Sequence, residues 1–307
     1  MTGLRATFHK SVEYIAERGL APILVWPFLS KASAIKKIVF AATRRCDRVL
    51  LHARGGREEY IVDSRDRVIS RGLFVQGEYD FHKFEKALTL LEPYYKKGHA
   101  FTLVDIGANV GSICIPAVAR GFASRAIAVE PHPGNCRLLR VNVAMNDLTD
   151  RIHVSEFALS DGDVTELSLE LSSDNFGDHR VRSSSLPGRM GETRRSLVEV
   201  KACRLDDIAT PAANERGLVW MDVQGYEGHV LQGCKTWIDA GVPICMEFWP
   251  YGMRRASSYE RVRNALSGYR GFFNLSDPHS ILPIAEIDEL YSSSDQPDFF
   301  TDLLVVC

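Results

Sequence analysis

The chain has 307 residues, 45% of them hydrophobic and 25% charged, which is ample material for one principal domain with an appendage. A formal net charge of −2 argues against an obligate nucleic-acid binder, which carries a basic excess over its domain. The cysteines are seven in number, odd and without a CxxC pair, and Cys114, Cys136, Cys203 and Cys245 fall in apolar segments. They read as reduced core thiols of a cytoplasmic protein, not as a disulfide framework or a zinc site.

In chain order, the first fifty residues are basic and predicted to be helical to about residue 48. The apolar run Leu20 to Leu29 is broken by Pro22 and Pro27 and is shorter than the about 20 residues needed to span a bilayer. A helix over 33–48 would set Ile35, Ile38, Val39 and Ala42 on one face, flanked by Lys36, Lys37, Arg44 and Arg45. Two readings stay open for it: docking on the main domain or on a second subunit of a homo-oligomer, and peripheral membrane contact. Strands are expected over residues 49–53, 59–62 and 67–70 around the Gly55-Gly56 turn, completing an N-terminal helical and small-strand appendage, residues 1–77. A helix over 79–95 leads into the main domain, residues 78–307. From Phe101 onward strands and helices alternate, the pattern of a mostly parallel sheet with helices on both faces.

Residues 101–111 carry the strongest signal. An apolar strand ends in Asp105, a turn holds Gly107, Ala108, Asn109 and Gly111, and a helix is predicted over 110–120. In a parallel sheet this turn lies at the carboxyl ends of the strands, where glycines allow close approach of a ligand. A dinucleotide loop presents its helix N-terminus to a pyrophosphate, which Asp105 would repel. S-adenosylmethionine has no phosphate and carries two cationic centres, so there the acid attracts. A second strand ends at Glu130-Pro131-His132-Pro133, where a carboxylate can accept both hydroxyls of a ribose, and a helix is expected over 135–146. A third, over 151–156, runs into Phe157 and Ala158, a small apolar turn able to flank adenine. Between Asp161 and Val198 the alternation lapses into a polar stretch, with Asn175 to Gly188 suited to a lid or binding loop.

These segments resemble the FkbM family of S-adenosylmethionine-dependent methyltransferases. The resemblance spans residues 78–307. It rests on the Asp105 to Gly111 turn, Glu130 to Pro133, Phe157 to Asp161, Leu205-Asp206-Asp207, Met221 to Glu227, the strand Ile244 to Phe248 and a closing strand Asp302 to Val306. It implies a Rossmann-like class I methyltransferase fold with a seven-stranded sheet, S-adenosylmethionine as cofactor, and a hydroxyl acceptor on a sugar, glycan or secondary metabolite. The family usually has Glu where this chain has Gln224, which removes a negative charge beside Asp222.

Chemistry is expected where the strand order reverses and leaves a crevice between the Asp105 and Asp222 strands. An alcohol acceptor needs a base within hydrogen-bond reach, and the candidates are Asp222, Glu247 and His179, with Asp222 ranked first. Glu227 reads equally as a cap in the first turn of a helix or as a functional acid. Glu247 reads equally as part of the acceptor pocket or as a buried acid paired with a backbone amide or Arg254. His132 and His229 read as ordinary turn residues. No Asp-Asn pair follows Asp222, which disfavours a metal-assisted mechanism, and no Asn/Asp-Pro-Pro-aromatic tetrapeptide marks an amino-group enzyme. Metal-independent O-methylation remains. Two other classes stay in view: a nicotinamide-dependent oxidoreductase with a degenerate turn, and a noncatalytic cofactor-binding scaffold.

Overall fold

The structure, a computed structural model, describes residues 33–307 except 44, 45, 47, 55, 95–100 and 213–215. The expectations for residues 1–32, including the apolar run from Leu20, and for Arg44 and Arg45 lie outside the described residues. The chain opens with a helix, Ser33–Thr43, and an antiparallel hairpin of β1 (Leu50–Arg54) and β2 (Glu59–Asp63). It then lays down β3 (Phe101–Ile106), β4 (Arg125–Val129) and β5 (Ile152–Ser155). A second, four-stranded sheet follows from β6 (Ala158–Leu159), β7 (Glu166–Leu171), β8 (Arg180–Val181) and β9 (Ser196–Cys203), in the order β6-β9-β7-β8. The chain returns with β10 (Arg216–Met221), β11 (Ile244–Phe248), β12 (Gly271–Asn274), β13 (Leu282–Pro283) and β14 (Thr301–Val306).

The central sheet has eight strands, not seven, in the order β13-β12-β14-β11-β10-β3-β4-β5. Strands β5, β4, β3, β10 and β11 pair in parallel, whereas β14 is antiparallel to both β11 and β12, and β13 is antiparallel to β12. This order, with its reversal at β3 and the antiparallel β14 inserted between β11 and β12, is that of the expected class I methyltransferase fold, with β13 added at the edge. The centre forms where the sequence is most continuously apolar: all six residues of β3 are buried, as a strand covered on both faces requires. One cluster of buried side chains joins Leu103, Cys114 and Leu139 to Phe40, Leu51 and Phe74 from the first eighty residues. The opposite face is packed by Val104, Met221, Trp237 and Phe248.

Several sequence expectations are corrected. Residues 67–70 begin a helix, Ile69–Gln76, because Asp66 accepts the amides of Val68 and Ser70 and so closes a helical turn. The helices expected over 79–95 and 110–120 are shorter, Phe81–Leu91 and Cys114–Ala119. The first helix buries Lys36, Val39 and Phe40, while Ile35 and Ile38 are exposed, so the face that docks is rotated from the one read in the sequence. The polar stretch from Asp161 to Val198 contains β7, β8 and the start of β9, whose short alternating runs are hidden among charged residues. Helix Pro133–Met145 starts close to the expected place, capped by His132. Its Asn142 and Asn146 side chains bond the backbone of Ile61 and Glu59, so that two amides satisfy the edge of β2. No helix among the described residues is long and apolar enough to cross a membrane.

Gly107, at φ +82°, sits where β3 and β10 run side by side, and a Cβ there would lie 2.1 Å from the Asp222 carbonyl oxygen. Gly121 has a similar φ of +80° with nothing within 4 Å of its absent Cβ. Gly121→Ala should therefore cost about 1–2 kcal/mol for the left-handed backbone alone. Gly107→Ala should lose a further ~1–3 kcal/mol from overpacking. Urea unfolding of the two variants measures the difference, and equal losses would contradict the close approach.

Candidate active site

Parallel register sets the site. Trp220 of β10 lies opposite Asp105 and Met221 opposite Ile106, so Asp222 emerges beside Gly107 and its amide donates to the Ile106 carbonyl at 3.0 Å. The amides of Gly107 and Ala108 donate to Val129 at the end of β4, which brings Glu130 alongside. Glu130 is 4% exposed; one carboxylate oxygen accepts the Asn109 amide at 2.9 Å and the other the His132 amide at 2.8 Å. Asp105, 2% exposed, accepts the Cys114 amide at 3.1 Å. Each of these carboxylate oxygens keeps lone-pair capacity beyond its amide. Asn109 adopts φ +50°, donates its side-chain amide to the Phe176 carbonyl, and leaves its buried Oδ1 without a partner.

A cavity of about 490 Å³ opens over these strand tips, and a smaller one of about 70 Å³ shares Ile69, Gly107, Asn109, Gly177 and Asp222 with it. The larger is lined by Asp105, Ala108, Asp222, Gln224 and Glu247, with Lys83 the one cation among its described lining residues. The smaller takes Glu130, Pro131, Phe157 and Ala158. Burial dominates the titration of these acids. It pushes Asp105 and Glu130 up to about 7, against the amide bonds that favour their charged forms. Asp222, which reaches solvent through the cavity, is pushed up to about 6 by desolvation and by Asp302, with the Gln224 bond opposing. Burial and then the neighbouring Asp222, Glu227 and Asp302 hold the Glu247 carboxyl well above the usual range. The Gln224 side-chain amide donates 2.8 Å to Asp222 Oδ1 and 2.8 Å to Glu247 Oε2, tying the two acids together. Lys83 bonds Asp80 and Asp302 at 2.9 Å each; burial opposes its charge, but the two carboxylates outweigh that.

Gly111 lines neither cavity; a Cβ there would strike Ile115 and Leu139, so this glycine serves helix packing. His179 is not with the carboxylate pair. It lines the smaller cavity, its Nδ1 accepts the Ser172 amide at 3.1 Å, and burial next to His132 and Arg195 drops it to about 3, which makes it a poor base. Arg254 bonds the carbonyls of Ser294 and Tyr291, so it does not pair with Glu247. Glu227, fully buried, accepts the amides of Val223 and Gly225 and closes the turn after β10. Asn175, Gly177 and Asp178 form one wall of the larger cavity, and the backbone there is tied down through Phe176 to Asp66 and Asn109. Sequence reasoning missed Lys83, Tyr79 and Asp80 as lining residues; they precede β3, and no motif marks them.

The model of the methyltransferase FkbM domain matches residues 105–271, a span that begins at the first of these acids and runs through Glu247 to β12. The chain belongs to this family. No curated protein matches it. Among solved structures, this FkbM-domain chain is similar to P. horikoshii TYW2 in complex with MeSAdo, at 14% identity over 92% of this chain and 86% of that one, with a TM-score of 0.38. It is similar to a geranyl diphosphate methyltransferase in complex with GPP and sinefungin at 12% identity, 72% and 77% coverage and a TM-score of 0.39. A ribosomal protein L11 methylase from Lactobacillus delbrueckii subsp. bulgaricus stands at 11%, 73% and 78%, and 0.36. Likenesses this low carry no argument: the family rests on the domain match, and the fold on the strand order of the FkbM methyltransferase itself.

In the ligand-free enzyme the Asp105 carboxyl stays protonated to about pH 7, while in the unfolded chain it ionises near ~3.9. The native state therefore binds more protons between those values, and this group's contribution to stability falls as pH rises through them. Asp105→Asn should raise the melting temperature of the free protein at pH 8, equivalent to on the order of 2 kcal/mol, with the gap narrowing toward pH 4. A gap that does not change with pH in thermal melts would contradict the assignment.

Proposed function

We propose that this FkbM methyltransferase uses S-adenosylmethionine to methylate a hydroxyl of a sugar, glycan or secondary metabolite, without a metal, in the cytoplasm. The observation that carries the reading is the Asp222–Gln224–Glu247 bridge beside a crevice of buried acids. S-adenosylmethionine supplies a methyl group on positively charged sulfur, an electrophile that needs no further activation. The residues present suit it. Asp105 and the unpartnered Asn109 Oδ1 would hold its ammonium end, Lys83 its carboxylate, and Glu130 the ribose hydroxyls. Pro131, Phe157 and Ala158 would flank the adenine in the smaller cavity.

Asp222 is then the base. Burial and its acidic neighbours push the Glu247 carboxyl up further than Asp222, which leaves Asp222 the more readily ionised member of the pair. It would take the hydroxyl proton while Gln224, which donates one hydrogen bond to it and one to Glu247, keeps its carboxylate turned to the acceptor. Gln224 itself sits at φ +56°, a backbone state that a non-glycine residue holds only where the surroundings impose it. Trp249 and the segment from Asn175 to Asp178 wall the cavity on two sides and would hold the acceptor in line with the methyl group.

Incubation with methyl-labelled S-adenosylmethionine and a panel of hydroxylated acceptors should give acid- and base-stable methyl ethers; products labelled only on nitrogen or carbon would end the O-methyl assignment. Asp222→Asn should lower kcat by about 10²–10⁴-fold and remove the rise in rate with pH through about 6 that the carboxyl imposes. A variant that keeps the wild-type pH profile would exclude Asp222 as base. Glu130→Ala should weaken binding of S-adenosylhomocysteine in calorimetry by about 1–3 kcal/mol, and unchanged affinity would place the ribose elsewhere.

A further inference from the structure

Arg180, the first residue of β8, is buried to 6% exposure and its guanidinium lies over the Trp249 ring at 5.0 Å. None of its three side-chain nitrogens has a hydrogen-bond partner. Its charge is compensated at longer range, by Asp178 Oδ1 at 3.4 Å from one terminal nitrogen and Glu170 Oε2 at 4.0 Å from Nε. Asp178 is largely committed elsewhere, since both its carboxylate and its carbonyl take bonds from Arg195. Burial disfavours the charge on Arg180, yet a guanidinium stays protonated, so five planar donors are dehydrated without acceptors. Such a group is costly in isolation and calls for a ligand that brings oxygens in a fork.

Arg180 lines the smaller cavity on one side and, on the other, a shallow groove with Ser183, Gln224, Trp249 and Arg255, where two guanidiniums face a single carboxylate, that of the buried Glu170. Gln224 and Trp249 line the main cavity as well, so the groove continues directly from the place where the acceptor hydroxyl must sit. Arg255 adds a second guanidinium there; it is 3.6 Å from Glu192 and donates to the Leu186 carbonyl. The main cavity is lined by carboxylates, which repel anions. An acceptor with a negative group at one end and a hydroxyl at the other would therefore fit in one direction only.

We propose that Arg180, backed by Arg255, is a subsite for an anionic group, carboxylate or phosphate, on the methyl acceptor. This rests on the reading above in one respect, that the acceptor occupies the cavity beside Gln224. A sugar acid or a sugar phosphate has the required chemistry, and a neutral sugar does not.

The test is calorimetry on the full chain saturated with S-adenosylhomocysteine, titrated with glucuronate, glucose 6-phosphate and glucose. One of the two anions should bind at least about tenfold more tightly than glucose, and which one does separates carboxylate from phosphate. Arg180→Gln should abolish that preference while S-adenosylhomocysteine affinity stays within about twofold; Arg180→Lys, which keeps charge without the fork, should retain part of it. No preference for either anion, or a preference that survives Arg180→Gln, overturns the proposal. So does an Arg180→Gln variant that loses cofactor-product affinity and keeps anion discrimination, because Arg180 would then serve the adenosyl side. Should Arg180→Gln fail to fold, Arg255→Gln must weaken the anion preference, and an unchanged preference overturns the subsite. The readout is binding alone, so labelled methyl arriving on nitrogen or carbon would sink the hydroxyl reading and leave the subsite standing.

Discussion

Acids crowd together at the tips of neighbouring parallel strands, and this crowding governs the rest of the site. Backbone register makes it unavoidable: with Trp220 opposite Asp105, the carbonyl of Asp222 runs against Gly107, and the same turn reaches across to Glu130. Asp105 is held by one backbone amide and Glu130 by two, enough to fix their direction and too little to match the water they have lost, while Asp222 is held by the Gln224 side chain. All three are accordingly pushed up, Asp105 and Glu130 to about 7 and Asp222 to about 6, within the range where a bound cation would draw them into the charged state. Folding leaves an electrostatic deficit, and a positively charged ligand offsets it.

Gln224 is the point where this chain departs from its family's usual pattern, and its geometry explains how the departure is accommodated. A glutamate there would add a third carboxylate beside Asp222 and Glu247 on the side of the cavity. The amide instead donates one hydrogen bond to each acid and so fixes the two carboxyls side by side at the cavity. On the far side of the same residue the local charge changes sign. Arg180 and Arg255 face a groove that continues from the cavity, so the crevice is polar in direction as well as in composition.

Most of the central sheet was legible in the sequence because its strands are continuous apolar runs ending in acids, and the turns between them carry glycine and proline at the places the backbone needs. The placing of Asp105, Glu130 and Asp222 at the tips of neighbouring strands followed from that spacing, whereas the register of β3, β4 and β10 came only with the structure. What escaped was of three physical kinds. Strands β7 and β8 are short, half-exposed and charged, so their period-two pattern is too weak to separate from loop. The helix at Ile69–Gln76 is fixed by one side chain, Asp66, whose amide bonds override the β-branched residues that suggested a strand. The last kind was tertiary: Lys83 and Tyr79 reach the cavity from before the first core strand, and Arg180 arrives from a sheet the sequence did not announce. His179 was credible as a base from its residue type alone, and only its burial and its bond to the Ser172 amide show that its lone pair is spent.

The central claim is that the strand-tip acids select a cationic, phosphate-free adenosyl ligand. Calorimetric titration of the full chain with S-adenosylmethionine and with NADH at pH 8 tests it most directly. Saturable one-to-one binding of S-adenosylmethionine is expected, and none of NADH. Binding of NADH that S-adenosylmethionine displaces, or that occurs in its place, would contradict it.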